Sequence, residues 1–223
     1  GGPGSATLWL HIGAFGPQRV VINDTERVLP PYKTINNDYS LLDASDLVFI
    51  DAPGTGGSQL ITKEKGGAGK PKDFYGSDED GKAFTSFITT FLSTYNRWNS
   101  PKYLFGESYG TFRSAVVANN LEQQGVDLNG VILLSQLLSY NNTSDEAELD
   151  PGSELRYELA LPSAAATAWY HKKLPNQNIT LEALTKEVEE FSMNEYAVAL
   201  NKGSLLKGSE YDNIVTKLHN YLG

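Results

Sequence analysis

The chain has 223 residues, of which 40% are hydrophobic and 11% aromatic, enough to bury one sizeable core and too apolar for a disordered polypeptide. A formal charge of −9, from 18 Lys and Arg against 27 Asp and Glu, leaves no basic patch for phosphate backbones or anionic lipid, so neither nucleic acid nor a membrane is an expected partner. The sequence has no cysteine, which removes disulfides, thiolate metal sites and cysteine nucleophiles together, and no apolar run approaches the roughly 20 residues that span a bilayer.

In chain order, the opening Gly1-Gly2-Pro3-Gly4 is unlike a signal peptide, and residues 46–51 (Asp-Leu-Val-Phe-Ile-Asp) read as a buried strand closed by a tight loop at 52–57. A polar, glycine-rich excursion follows between Lys63 and Lys72. From about Asp78 to Asn96, Ala83, Phe84, Phe87, Ile88, Phe91, Leu92 and Tyr95 recur at helical spacing, with Asp78, Glu79 and Asp80 where a helix dipole favours negative charge. Lys102 to Phe105 reads as a strand and residues 106–110 as a turn. Residues 111–124 read as a helix with an apolar stripe of Phe112, Ala115, Val116, Ala118 and Leu121, stopped by Gly125, and residues 129–135 as another buried strand.

Strand, helix, strand, helix, strand implies an α/β fold with a mostly parallel sheet carrying helices on both faces. After residue 140 the texture changes. Residues 141–154 are polar and acidic, and 155–174, 181–201 and 211–222 are helical in period. The expected organisation is a partial α/β core over 1–140, then a helical insertion or cap over 141–223, set over the carboxyl edge of the sheet. Asn-x-Ser/Thr triplets begin at Asn23, Asn142 and Asn178, a pattern common enough by chance to decide nothing.

Gly106-Glu107-Ser108-Tyr109-Gly110 carries the chemistry. Between a strand and a helix, the two glycines let the chain turn so sharply that the serine takes a strained conformation and its hydroxyl projects from the sheet edge. The next helix then points its N-terminus at developing negative charge. As a bare pattern this is also an ordinary strand-to-helix turn; the flanking strand and helix favour Ser108 as a nucleophile. Acyl transfer needs oxyanion donors, which Tyr109 and the Gly1 to Gly4 loop supply in this reading, although a glycine-rich start is equally the composition of a flexible linker. Three widely spaced histidines and no cysteine give no metal site, and no cofactor is implied.

Five ordered segments resemble the serine carboxypeptidases of the α/β-hydrolase fold: Gly1-Gly2-Pro3-Gly4, Gly16-Pro17, Asn37-Asp38-Tyr39-Ser40, the stretch from Val48 to Gly56, and the Gly106 to Gly110 turn. The stretches 9–17 and 161–171 look most like the bacterial branch. The resemblance implies a peptidase in which Ser108 attacks the last peptide bond and the amides of Gly2 and Tyr109 hold the oxyanion. Glu107 would grip the substrate's free C-terminal carboxylate through a shared proton. Two carboxylates in contact cannot both stay ionised, so such binding favours acidic pH; the alternative is that Glu107 only braces the turn. The implied partner is a peptide with a free C-terminus, and the implied location is secreted or periplasmic. Two departures stand out: an Asn that opens the family's loop would precede Gly1, and a second Glu of the eukaryotic carboxylate site falls on Ala14.

The base is missing. The usual order in this fold is Ser, Asp, His, and only His11, His171 and His219 exist. His11 precedes the serine and is expected to pack beside the oxyanion loop. His171 reads as a helix-surface residue. His219 lies on an amphipathic helix without the sharp glycine-flanked loop of the family's catalytic histidine. The expectation is an incomplete fold, truncated at both ends, whose Asp and His lie elsewhere. The rivals are a self-contained esterase or acyltransferase using Ser108, His219 and Asp145 or Asp150, and a non-catalytic module in which Ser108 is idle.

Overall fold

The computed structural model describes residues 1–23, 27–67, 69–139, 152 and 154–223; Asp145, Asp150 and the Asn142 triplet lie outside them. Contacts divide the chain into two compact units, Gly1–Leu137 and Leu138–Gly223.

In the first unit, a short turn α1 (Leu8–Leu10) runs into a π-helical turn (His11–Phe15), and β1 (Gln18–Val20) pairs antiparallel with β2 (Thr34–Asn36). Then come α2 (Ser77–Thr94), β3 (Tyr103–Glu107), α3 (Tyr109–Gln123) and β4 (Gly130–Leu134). β3 and β4 are parallel, in register from Tyr103 opposite Gly130 to Glu107 opposite Leu134. The ladder is started by a reciprocal pair: Lys102 N donates to Asn129 Oδ1 and Asn129 N donates to the Lys102 carbonyl, each at 2.8 Å.

The core joins Phe84 and Leu92 of α2 to Val117 and Leu121 of α3, with Ala52 and Val126, and Ile50, Ile88, Leu104 and Leu128 packed around them. Burying each large apolar side chain contributes about 1.5–3 kcal/mol. Alternation along β3 sends Leu104 into this core, while Phe105 meets the edge of the Phe15 ring, centroids 4.8 Å apart.

Several expectations are corrected. Residues 46–51 join no ladder and Val48 is exposed, because an apolar run becomes a strand only when a neighbour offers hydrogen bonds. Residues 130–134 do form a strand, but not a buried one: Val131, Ile132, Leu133 and Leu134 are all exposed, since among the described residues β4 pairs only with β3. The ladders of the described residues are therefore two two-stranded sheets, of which one is parallel. The inward face of α3 is also not the expected one. Gly110, Arg113, Ser114, Val117 and Leu121 are buried while Ala115 is exposed, so a charged residue occupies the core stripe.

The second unit contains α4 (Leu155–Tyr170), α5 (Leu181–Phe191) running through a π-helical turn (Ser192–Tyr196) into α6 (Ala197–Lys202), and α7 (Gly208–Leu222). No strand occurs among its described residues. Leu161, Ala165, Ala168, Leu184, Val188, Phe191 and Ile214 form its core. Pro162 lies inside α4 and has no N–H to give the Glu158 carbonyl four residues back. The fully buried Ser192 hydroxyl donates to that carbonyl instead, at 2.6 Å, which also ties α5's end to α4. Among the described residues, no helix is long and apolar enough to cross a membrane.

Candidate active site

Ser108 is the single residue between β3 and α3, with φ 54° and ψ −122°. For a side-chain-bearing residue this conformation costs about 1–3 kcal/mol and persists only when its surroundings over-determine it. They do so here. Ser108 N donates to the Leu134 carbonyl at 3.0 Å, extending the parallel ladder by one bond. The Ser108 carbonyl accepts from Thr111 N at 2.9 Å and from the Thr111 hydroxyl at 2.7 Å, and that hydroxyl accepts from Leu137 N at 3.0 Å.

Of the flanking glycines, Gly106 is a steric necessity and Gly110 allows a close approach of the Gly1 loop. A Cβ on Gly106 would lie 2.1 Å from the Gly110 carbonyl oxygen, and one on Gly110 would lie 3.3 Å from the Gly1 nitrogen. Ser108 itself is exposed, and its hydroxyl has no hydrogen-bond partner among the described residues. The arrangement presents an accessible hydroxyl at the head of a 15-residue helix, whose N-terminal dipole favours negative charge.

The Gly1 to Gly4 loop comes to this turn. The Gly1 nitrogen lies 4.0 Å from the Glu107 carboxylate, whose side chain is one-quarter exposed, and the Gly1 carbonyl accepts from Arg113 Nη1 at 2.8 Å. Arg113 is itself held by Asp80: Nε donates to Oδ2 at 2.6 Å and Nη2 to Oδ1 at 3.2 Å, with both side chains buried. The guanidinium lies over the Phe84 ring at 4.3 Å and the Tyr109 ring at 5.1 Å. Thus Glu107, Ser108, Tyr109 and the Gly1-Gly2 peptide are gathered in one place. Gly2 is half-buried, and a Cβ there would meet nothing within 4 Å.

A second brace comes from the 51–57 loop. Asp51 Oδ1 accepts from Thr7 N and the Thr7 hydroxyl, each at 2.7 Å, and Oδ2 accepts from Gly57 N at 2.8 Å. The Thr55 hydroxyl donates to the Pro3 carbonyl. A Cβ on Gly56, where φ is +58°, would sit 2.3 Å from Asp51 Oδ2. The Asn37-Asp38-Tyr39-Ser40 segment holds the next turn. Asn37 Nδ2 donates to the Ala14 and Gly16 carbonyls at 2.6 and 2.8 Å, and the Ser40 hydroxyl to the Phe15 carbonyl at 2.9 Å.

The Thr7 backbone bond first, then that from Gly57, hold the Asp51 carboxyl below its ordinary value. A depressed carboxylate contributes stability that is full above its unfolded pKa and is lost as pH falls through the lower folded value. Asp51→Asn removes that contribution. Its expected signature is faster protease cleavage in the 51–57 loop at neutral pH, with the difference from wild type shrinking as the solution is acidified below the folded value.

His11, the one histidine of the first unit, packs against Phe49 in a tilted arrangement with centroids 4.8 Å apart, and lies so close to Gly16 that a Cβ there would be 2.4 Å from its ring. It has no hydrogen bond to Ser108. His171 caps the end of α4 and His219 lies in the last turn of α7; both are exposed. Among the described residues no group of three or more His, Cys, Asp or Glu could hold a metal. Reading by sequence missed the Asp80–Arg113 pair and the role of Asp51. One signal was available for the former: Arg113, Val117 and Leu121 share a face at four-residue spacing, and a charge on a core stripe needs a buried partner.

The sequence profile of the serine carboxypeptidase family matches residues 1–217. No curated protein and no solved structure gives a match.

Proposed function

The chain belongs to the serine carboxypeptidase family, and from that premise we propose that it takes part in hydrolysis of C-terminal residues from peptides through an acyl-enzyme on Ser108. The strained, exposed Ser108 at the strand–helix junction carries this reading. In the proposed reaction, Ser108 Oγ attacks the last peptide carbonyl while its proton passes to a general base. The amides of Gly2 and Tyr109 stabilise the oxyanion, the C–N bond breaks as the leaving amino acid takes the proton, and water then releases the acyl group. Glu107 holds the substrate's terminal carboxylate through a shared proton.

The base is assigned to none of the three histidines, because His11 is committed to Phe49 and Gly16, His171 is an exposed residue at the end of α4, and His219 lies within α7 without the sharp glycine-flanked loop of the family's catalytic histidine. The Asp and His of the triad are proposed to come from outside these 223 residues. A secreted or periplasmic setting accompanies this reading, along with the bacterial-type wording of residues 9–17 and 161–171.

The test compares matched peptides carrying a free or an amidated C-terminus, with released residues identified by mass. Stepwise loss of C-terminal residues from the free acid alone is the expected outcome. Equal cleavage of both peptides overturns the carboxypeptidase assignment. Turnover by the 223-residue chain alone that is lost in His219→Ala overturns the placement of the base.

A further inference from the structure

We infer that Arg113 is a positioning residue for the oxyanion site, acting through the Gly1-Gly2 peptide; this rests on the assignment of the Gly2 amide as an oxyanion donor. The Gly1 carbonyl and the Gly2 N–H belong to one planar trans peptide, so they point in opposite directions and rotate as a unit. Arg113 Nη1 holds that carbonyl at 2.8 Å. Fixing the oxygen fixes the direction of the N–H, in a segment where two consecutive glycines would otherwise leave the peptide free to turn. A cation on the carbonyl oxygen also polarises the peptide and makes its N–H the stronger donor.

The guanidinium is suited to this because it cannot swing. Asp80 takes Nε and Nη2 in a two-point grip, leaving Nη1 aimed at Gly1, and the Phe84 and Tyr109 rings lie against it at 4.3 and 5.1 Å. The same side chain therefore touches the residues of both expected donors, Gly1-Gly2 through a hydrogen bond and Tyr109 through its ring. A lysine at 113 has no planar fork and cannot hold Asp80 at two points while reaching Gly1. Asp80, the fourth residue of α2, acts as the anchor that sets the arginine's angle.

Arg113→Lys and the paired variant Asp80→Asn with Arg113→Gln test this in the full-length protein. The paired variant leaves no unpaired buried charge, so it folds even where Arg113→Met alone does not, and far-UV dichroism and the thermal midpoint verify this. Three quantities are read: the rate of Ser108 labelling by a fluorophosphonate, kcat and KM on a free-acid peptide, and affinity for a peptidyl boronate that forms a tetrahedral adduct. Both variants are expected to lower kcat and the labelling rate about 10–100-fold and to weaken the boronate comparably, a fraction of what loss of a whole oxyanion donor costs. KM should stay within about threefold, because the ground-state carbonyl does not depend on these donors as the oxyanion does. Folded variants with wild-type labelling and boronate affinity, or with a loss confined to KM, overturn the role of Arg113 while leaving Ser108 as nucleophile. Absence of any Ser108-dependent labelling in the wild type overturns the underlying assignment and this inference with it.

Discussion

Ser108→Gly is expected to raise the unfolding free energy by about 1 kcal/mol while abolishing acylation, and Ser108→Ala to abolish acylation at nearly unchanged stability. The difference between the two variants isolates the backbone. At φ 54° and ψ −122° any residue with a Cβ is strained by about 1–3 kcal/mol, and alanine keeps that strain. Glycine releases it, at an offset of about 0.4–1 kcal/mol from the added freedom of its unfolded chain. Because Ser108 is exposed and its hydroxyl makes no hydrogen bond among the described residues, neither variant loses packing or a side-chain bond. Loss of the nucleophile lowers kcat/KM by about 10⁴–10⁶-fold if the proposed mechanism holds. Urea midpoints at constant m-value and mass-resolved fluorophosphonate labelling measure the two effects separately. A Ser108→Gly protein less stable than Ser108→Ala would show that the serine's conformation is not strained. Unchanged labelling of Ser108→Ala would place the reactive group elsewhere.

The turn around Ser108 was legible in the sequence because its constraints are local. Two glycines, a strand before and a helix after suffice to specify it, and the structure places Ser108 at that junction. Burial was much less legible, since it depends on what lies across each face. Ile132 and Leu133 read as interior residues by composition, yet among the described residues β4 has β3 as its sole ladder partner, and they are exposed. Residues 46–51 have the composition of a strand and none of its pairing. The antiparallel β1–β2 pair leaves little trace in the sequence because each strand has only three residues. The β-branched pairs Val20-Val21 and Thr34-Ile35 were the available cue.

The role of charge is hidden in a similar way. Asp80 fits the first turn of α2 by the dipole rule, and the rule says nothing about a partner 33 residues later. Only the helix phase, with Arg113 in line with Val117 and Leu121, pointed inward. A stripe of apolar residues alone includes exposed Ala115 and omits buried Val117. A general base could not be read at all, because the geometry that would identify one is tertiary and His11 is engaged with Phe49 and Gly16.

Gly106→Ala is expected to destabilise the first unit by about 3 kcal/mol or more, the largest stability effect among glycine substitutions near the site. The added Cβ would lie 2.1 Å from the Gly110 carbonyl oxygen and 2.4 Å from its carbon. These are backbone atoms of the first turn of α3, so no side-chain rotation relieves the overlap. The Ser114 hydroxyl, at 2.6 Å from the same point, could rotate away, but the carbonyl cannot. Relief requires β3 to withdraw from α3, which breaks the Glu107–Leu134 end of the parallel ladder and the bond from Ser108 N to the Leu134 carbonyl. Those contacts hold the serine in its strained conformation, so reactivity and stability should fall together. Gly2→Ala is the matched control. Nothing lies within 4 Å of its added methyl, and the expected change is within about 0.5 kcal/mol. Parallel urea titrations decide the matter: equal midpoints for Gly106→Ala and Gly2→Ala would mean that the close approach of β3 to α3 is not what fixes Ser108.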